Sequence, residues 1–353
     1  MNILGLGGLL GDAACAVLVD GELRAAVEEE KINHAARTGA MPRAAIRESL
    51  RIARVAPDKV NCVAVARPFA QGHEADFYVA LREQFPHAEI LVVEHHQAHA
   101  ASAFFASPFE RATVLTLDHA GDFRCGVRWS AEGSHLQPEK EWYFPDSFGR
   151  LYGAVTELLG FQSRADEHKV QWLSASGDDR FVDLFRSMLA NAPRIDTTYF
   201  DNGFTPAFHK KIGGAAGPLA AHIAHGLQVA LEEAVLNLAG DGENLCVAGG
   251  MFLNAMLVDA LERSGRFQNV FVQAAAGNAG TALGAAWHAW HQGHGKSAAR
   301  HLGHSSLFLG PDYSAEEIKQ VLENCKLPFR SEEHTSELQS LAYLVGRLLL
   351  EKK

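Results

Sequence analysis

The strongest concentration of chemistry in the sequence is the block Glu94-His95-His96-Gln97-Ala98-His99. A strand-like run over 89–93 precedes it and an alanine-rich stretch follows, so the block opens a helix. On that helix His95 and His99 stand four residues apart and share one face, where both imidazoles reach a single metal ion; His96 points about a hundred degrees away. Asp118 is expected at the end of the next strand. Two imidazoles and a carboxylate suit Fe(II), Mn or Zn with open coordination positions. The spacing alone is equally compatible with histidines that cap and pack a helix start.

Three further stretches carry candidate groups. Asp166-Glu167-His168-Lys169 sets a carboxylate and an ammonium two residues apart, usable in phosphate or acyl chemistry but also explained by a solvated charged turn. Gly249 and Gly250, in the run AGGMFLN ending at Asn254, lie between an apolar strand and a helix, where missing side chains let a nucleotide phosphate come close. Gly277 and Gly280 repeat that arrangement around Asn278. Near the N-terminus, Asp12 sits in a turn rich in glycine (Gly7, Gly8, Gly11).

The elements that must position these residues form a repeated pattern. Apolar runs at 2–6, 13–19 and 22–27, with Asp20-Gly21 as a hairpin turn, predict a three-stranded meander, followed by helix, strand and helix. A second meander begins at Ala112 and turns through Asp118-His119-Ala120-Gly121-Asp122. Helices are expected near 148–160, 219–239, 252–264 and 280–292, with strands at 244–248 and 270–272. Two βββαβα lobes around a cleft, 2–110 and 111–300, define an α/β, duplicated actin-like or hexokinase-like ATPase fold. In such a fold the first hairpin of each lobe wraps the phosphates, with an acidic residue nearby to hold a metal or an attacking group.

Composition narrows the classes. With 32 Lys plus Arg against 42 Asp plus Glu, the net charge of −10 argues against binding nucleic acid through a general basic field. No apolar run is long enough for a membrane span and no basic leader precedes the first strand, so a cytoplasmic protein without membrane contact is expected. The five cysteines are widely spaced and read as reduced core thiols. His291, His294, His301 and His304 read as a solvated linker, and Trp287 to Trp290 as a helix packed on the core.

The segment Arg330–Lys353 resembles translated sequencing-library adapter: RSEEHTSELQS and the closing RLLLEKK match it, although Leu338, Leu341, Val345 and Leu348 also fit an amphipathic helix. The natural sequence is therefore expected to be represented only to about Phe329, with 301–329 beginning a linker.

In order along the chain, the turn around Asp12, HHQAHAASAF (95–104), Leu117-Asp118, SFGRLY (147–152), Glu167-His168-Lys169-Val170, AGGMFLN (248–254), GNAGTALGAA (277–286) and LGPDYSAEEI (309–318) resemble the O-carbamoyltransferase family, whose members decorate antibiotics and nodulation factors. The resemblance implies a two-part, ATP-dependent enzyme. One part makes carbamoyl-adenylate from carbamoyl phosphate and ATP; the other, similar to this chain, transfers the carbamoyl group to a hydroxyl of a small-molecule acceptor. It implies His95, His99 and Asp118 as ligands of an iron-type metal that polarises the carbamoyl group. Glu167, Lys169 and Asn254 would contact the nucleotide or carbamoyl group, and Asp12 would lie near the reacting end. Asn278 stands where the family often has Asp as a fourth ligand; its carbonyl oxygen can still coordinate but adds no charge. The family's Phe-Gly-Pro-Arg block and adenylate-forming domain do not occur here, so this chain is expected not to make its own carbamoyl-adenylate. The resemblance admits a homodimer. Two alternatives are a synthase of threonylcarbamoyl-adenosine in transfer RNA, which shares the histidine pair, and a non-catalytic nucleotide-binding module.

Overall fold

The computed structural model describes residues 1–35, 40–69, 72–213, 217–294 and 307–329. The chain divides into two compact units, Met1–Gly310 and Pro311–Lys353. The first begins with strands β1 (Asn2–Gly7), β2 (Ala14–Val19) and β3 (Glu22–Glu28), then helices α1 (Glu29–Asn33) and α2 (Arg43–Ala53). Strand β4 (Cys62–Ala66), α3 (Glu74–Gln84), β5 (Glu89–Val93) and α4 (His95–Phe104) complete the first repeat. The second repeat runs through β6 (Arg111–Gly121), β7 (Arg124–Glu132) and β8 (His135–Tyr143). A helical crossover follows, made of α5 (Phe148–Leu158), α6 (Glu167–Ser174), α7 (Val182–Met188), α8 (Pro206–Lys211) and α9 (Ala220–Ala239). Strand β9 (Gly242–Ala248), α10 (Ala255–Arg263), β10 (Phe267–Val272) and α11 (Thr281–His294) close the repeat.

Both sheets have five strands in corresponding order, β3-β2-β1-β4-β5 and β8-β7-β6-β9-β10. In each, the meander is antiparallel and its first strand pairs in parallel with the fourth, Ile3 opposite Cys62 and Thr113 opposite Leu245. Each repeat carries the expected βββαβα unit followed by a further parallel strand and helix, those expected at 89–93 with the block opened by Glu94, and at 270–272 with 280–292. The short helices α6 to α8 escaped the sequence reading because none is long enough to show a periodicity. At the β2–β3 hairpin, Asp20 and Gly21 both take the left-handed backbone (φ 50° and 83°) that the Asp-Gly signal requires.

Strands β1 and β2 are apolar almost throughout because both faces are covered. Ile3, Ala14, Ala16 and Leu18 join a core with α4 and α11, while Leu4, Leu6, Cys15 and Val17 face a second core with α2 and α3. The edge strand β8 is mostly exposed and correspondingly polar.

Two helices exchange places between the repeats. Helix α11, from the second repeat, packs on β1, β2 and β4 of the first sheet, whereas α4, from the first, packs on β6 and β9 of the second. The two also pack on each other, backbone close to backbone: a Cβ at Gly284 would lie 1.7 Å from the Ala98 carbonyl oxygen. That approach explains the small residues of both helices, and it fixes the start of α4 between the sheets.

His291, expected in a solvated linker, is instead buried in α11 and stacked on Phe105 with ring centroids 4.0 Å apart. Trp287 and Trp290 are buried as core residues. His301, His304 and the adapter-like segment Arg330–Lys353 lie outside the described residues. In the second unit, α12 (Ala315–Asn324) starts with a capping box between Ser314 and Glu317. Among the described residues no helix is long and apolar enough to cross a membrane.

The α4–α11 contact yields a paired prediction. Gly284→Ala should lower unfolding free energy by about 1–3 kcal/mol through overpacking. Gly293→Ala, in the same helix with open space around its Cβ position, should be neutral or stabilise by up to ~1 kcal/mol. Urea midpoints of the two variants check this; equal shifts would remove the contact's role.

Candidate metal and nucleotide site

The site begins at a helix cap. Glu94 accepts hydrogen bonds from the backbone N–H groups of His96 and Gln97 (3.1 and 2.8 Å), so α4 starts directly after β5 with His95 as its first residue. One turn later His99 lies beside it, ring centroids 4.6 Å apart. Asp118, from β6 of the other sheet, reaches both: its Oδ2 is 2.8 Å from His95 Nε2 and 3.4 Å from His99 Nε2. All three residues are buried, and their ligand atoms lie within 4.8 Å of one another.

The hydrogen bonds around this cluster decide its character. His95 Nδ1 is 3.1 Å from the Arg67 carbonyl oxygen, which can only accept, so Nδ1 carries the proton. In the neutral ring the Nε2 lone pair then points at the Asp118 carboxylate, where either a second ring proton or a metal cation satisfies both groups. Asp118 Oδ1 is occupied by the His119 backbone N–H at 2.7 Å, leaving Oδ2 for the histidines. Neither ring nitrogen of His99 has a hydrogen-bond partner among the described residues, nor has the buried Oδ1 of Asn278, whose side chain interacts with His99. The donor set, two imidazole nitrogens, a carboxylate oxygen and an amide oxygen, fits a divalent transition metal. His96 takes no part: its ring lies between Thr116 Oγ1 (3.0 Å) and the Arg124 carbonyl oxygen (3.2 Å).

Electrostatics agree. Burial drives the His96 and His99 imidazoles below their usual range. Burial also pulls His95 down, but the Asp118 carboxylate and the Arg67 carbonyl outweigh it and raise its pKa overall. Burial alone would raise Asp118; the two imidazoles hold it well below the usual carboxylate range. The raised His95 and lowered Asp118 favour an imidazolium–carboxylate pair, whose shared proton marks the place a metal cation would take.

Beyond the cluster lies a cavity of about 520 Å³. The turns of both repeats contribute to its wall: Asp12 from the first, and Gly250, Asn254, Gly277 and Asn278 from the second, together with His95, Asp118 and Glu167. Thr281 ties the two repeats together here, accepting from Gly8 N–H at 3.2 Å and donating to the Asn278 carbonyl oxygen at 2.6 Å.

Other expected residues sit differently. Lys169 does not reach the wall: its ammonium pairs with Asp166 at 2.8 Å and lies over the Phe161 ring. Gly249 (φ 106°) and Gly280 lie against backbone, 2.1 Å from the Leu117 oxygen and 2.0 Å from the Ala275 oxygen for an added Cβ, so they shape the turns rather than line the cavity. Asn254 caps α10 through Leu257 N–H and exchanges hydrogen bonds with Gln228, leaving its amide largely engaged.

The sequence reading missed Arg67, His119, Arg164 and Gly121. The first three line the cavity. Arg164, a residue close before the Glu167 segment, was open to discovery there; its backbone N–H bonds Glu167 Oε1. Gly121 lies under the His95 ring, where a Cβ would come within 1.9 Å of Cδ2.

The duplicated five-stranded sheets and the exchanged helices define an actin-like ATPase fold. Component A of (R)-2-hydroxyglutaryl-CoA dehydratase from Acidaminococcus fermentans aligns with a TM-score of 0.53 at 18% identity, covering 81% of this chain and 96% of its own. HypF from T. kodakarensis aligns with a TM-score of 0.51 at 14% identity, covering 81% of this chain and 47% of its own. Within that architecture the chain belongs to the carbamoyltransferase family, matching the carbamoyltransferase N-terminus over residues 75–287. An uncharacterized protein of Synechocystis is 31% identical, over 91% of this chain and 62% of that protein. The nodulation protein NolNO of Sinorhizobium fredii is 32% identical, over 78% of this chain and 45% of that protein. The chain thus spans about half of the length of these relatives.

Gly121→Ala should push the His95 ring off the cluster and weaken divalent-metal binding roughly tenfold or more, with helix content kept. Equilibrium dialysis and circular dichroism check this; unchanged affinity would show that His95 is not held by that contact.

Proposed function

We propose that this chain is the transferring, N-terminal part of an ATP-dependent O-carbamoyltransferase, moving a carbamoyl group from carbamoyl-adenylate to a hydroxyl of a small-molecule acceptor in the cytoplasm. The observation that carries the reading is the buried convergence of His95, His99 and Asp118 beside the unpartnered Asn278 oxygen, at the wall of a cavity shared by both repeats. Family membership supports the group transferred.

In this reading His95, His99 and Asp118 hold a divalent, iron-type cation, with Asn278 as a weaker fourth ligand. When bound, the ion supplies Lewis-acid polarisation of the carbamoyl oxygen. Arg67 and Arg164 take the adenylate phosphate through charge-assisted hydrogen bonds. The turns at Gly250 and Gly277 admit the nucleotide close to backbone. Asp12 orients the acceptor and takes its hydroxyl proton as the oxygen attacks the carbamoyl carbon; the carbon–oxygen bond to the phosphate breaks and AMP leaves. Glu167 holds the loop that presents Arg164. The adenylate itself, formed from carbamoyl phosphate and ATP, comes from an adenylate-forming part in the length of the relatives that this chain does not span. The same reading divides the chain into lobes at 2–110 and 111–300, with 301–329 leading towards that part.

Asp118→Ala and His99→Ala in the full-length enzyme should each cut carbamoyl transfer at least about a hundredfold and lower bound metal. Unchanged metal content in both variants would overturn the assignment. Asn278→Asp should instead tighten metal binding by roughly tenfold, because it adds a negative charge to the donor set; calorimetric titration reads the change.

A further inference from the structure

Helix α2 carries a feature that the transfer chemistry does not use. Arg43, Arg47 and Arg51 fall within one narrow arc of the helix at spacings of four, and Arg54 caps its C-terminus beside them in the same groove. They line an open groove of about 600 Å³ whose floor is apolar, formed by Leu50, Val55, Ala56 and Pro57, with Gln84 of α3 in its wall. In a chain of net charge −10 this is a local concentration of positive charge.

Internal partners account for little of it. Glu48 pairs with Arg51 at 2.6 Å and is also influenced by Arg47. Among the described residues Arg43, Arg47 and Arg54 make no ion pair within 4 Å. Cations at the end of a helix suit its macrodipole, which explains Arg51 and Arg54. Arg43 stands at the opposite, positive end, where a cation is disfavoured. The nearby Glu29 carboxylate is already engaged by the backbone N–H groups of Ala44 and Ala45 (3.3 and 2.7 Å). The arginine row is thus laid out for an external anion.

Its dimensions and lining identify the kind of anion. From Arg43 to Arg54 the row spans about 16 Å, far longer than one phosphate. The apolar floor calls for a ligand that carries hydrophobic groups as well as negative charge. Inorganic phosphate brings no apolar group to that floor; an acidic, amphipathic polypeptide brings carboxylates for the arginines and aliphatic side chains for the floor together. The groove lies at the far end of the first sheet from the candidate site, because Pro57 precedes the start of β4 whereas Arg67 follows its end.

We propose that the α2–α3 groove is a docking site for an acidic, amphipathic peptide segment of a partner protein, separate from the metal and nucleotide cavity.

The test measures fluorescence anisotropy with the full chain and a labelled peptide of roughly fifteen residues in which Glu and Leu alternate by helical turns. A copy with Gln for Glu, single-stranded RNA of about twenty nucleotides and inorganic phosphate serve as comparison probes. The proposal expects micromolar binding of the acidic peptide that falls at least about tenfold with the Gln copy and with Arg43→Glu/Arg47→Glu. Arg54→Glu alone should weaken it by a smaller factor, and Asp118→Ala should leave it unchanged. These arginines are exposed, and matching melting curves confirm that the variants remain folded. Absence of peptide binding, tighter binding of the RNA, displacement of the peptide by millimolar phosphate, or indifference to the charge reversals would each overturn the proposal.

Discussion

A carboxylate buried between two imidazoles is the constraint on which the candidate site depends. Asp118 is anionic, has one oxygen committed to the His119 backbone N–H, and presents the other to two rings, one of which already donates its proton elsewhere. An uncompensated charge at such depth costs several kcal/mol even after relaxation. A proton on His95 or a cation among the electron pairs supplies that compensation, so the two compete for one place in the cluster. His95, His99 and Asn278 supply the remaining donors without adding charge.

That cluster can be built only because two sheets come together. Asp118 belongs to the second sheet, and the histidines belong to a helix that follows the last strand of the first. The exchange of α4 and α11 between the repeats, with Gly284 lying against the Ala98 carbonyl, fixes where that helix begins. Thr281 then pins the glycine turn near Asp12 to the turn carrying Asn278. The cavity is the space these turns leave open. Arg67 and Arg164 line the same cavity as the acidic cluster, with the Arg67 guanidinium 3.4 Å from the Asp122 carboxylate.

Much of this was legible in residue order. The four-residue spacing of His95 and His99 announces a shared helix face, and the two meanders announce a duplicated fold, because both depend on local periodicity. What escaped depends on contacts between distant segments. Gly121 matters because the His95 ring lies over it, and no local pattern marks a glycine for that reason. Arg67 enters through its carbonyl as well as its side chain, and a main-chain acceptor leaves no trace in residue type. Lys169 shows the reverse: its position beside Glu167 suggested a cavity role, but Asp166, three residues earlier on the same helix face, holds the ammonium outside. His291 was placed in a linker by its polar, glycine-containing surroundings, whereas the apolar periodicity of α11 carries it into the core.

The most direct test is anomalous diffraction at the metal edge from crystals of the iron-loaded protein. The proposed ligand set predicts one strong peak within coordinating reach of His95, His99 and Asp118 together. A peak elsewhere, or none at this cluster, would contradict the account.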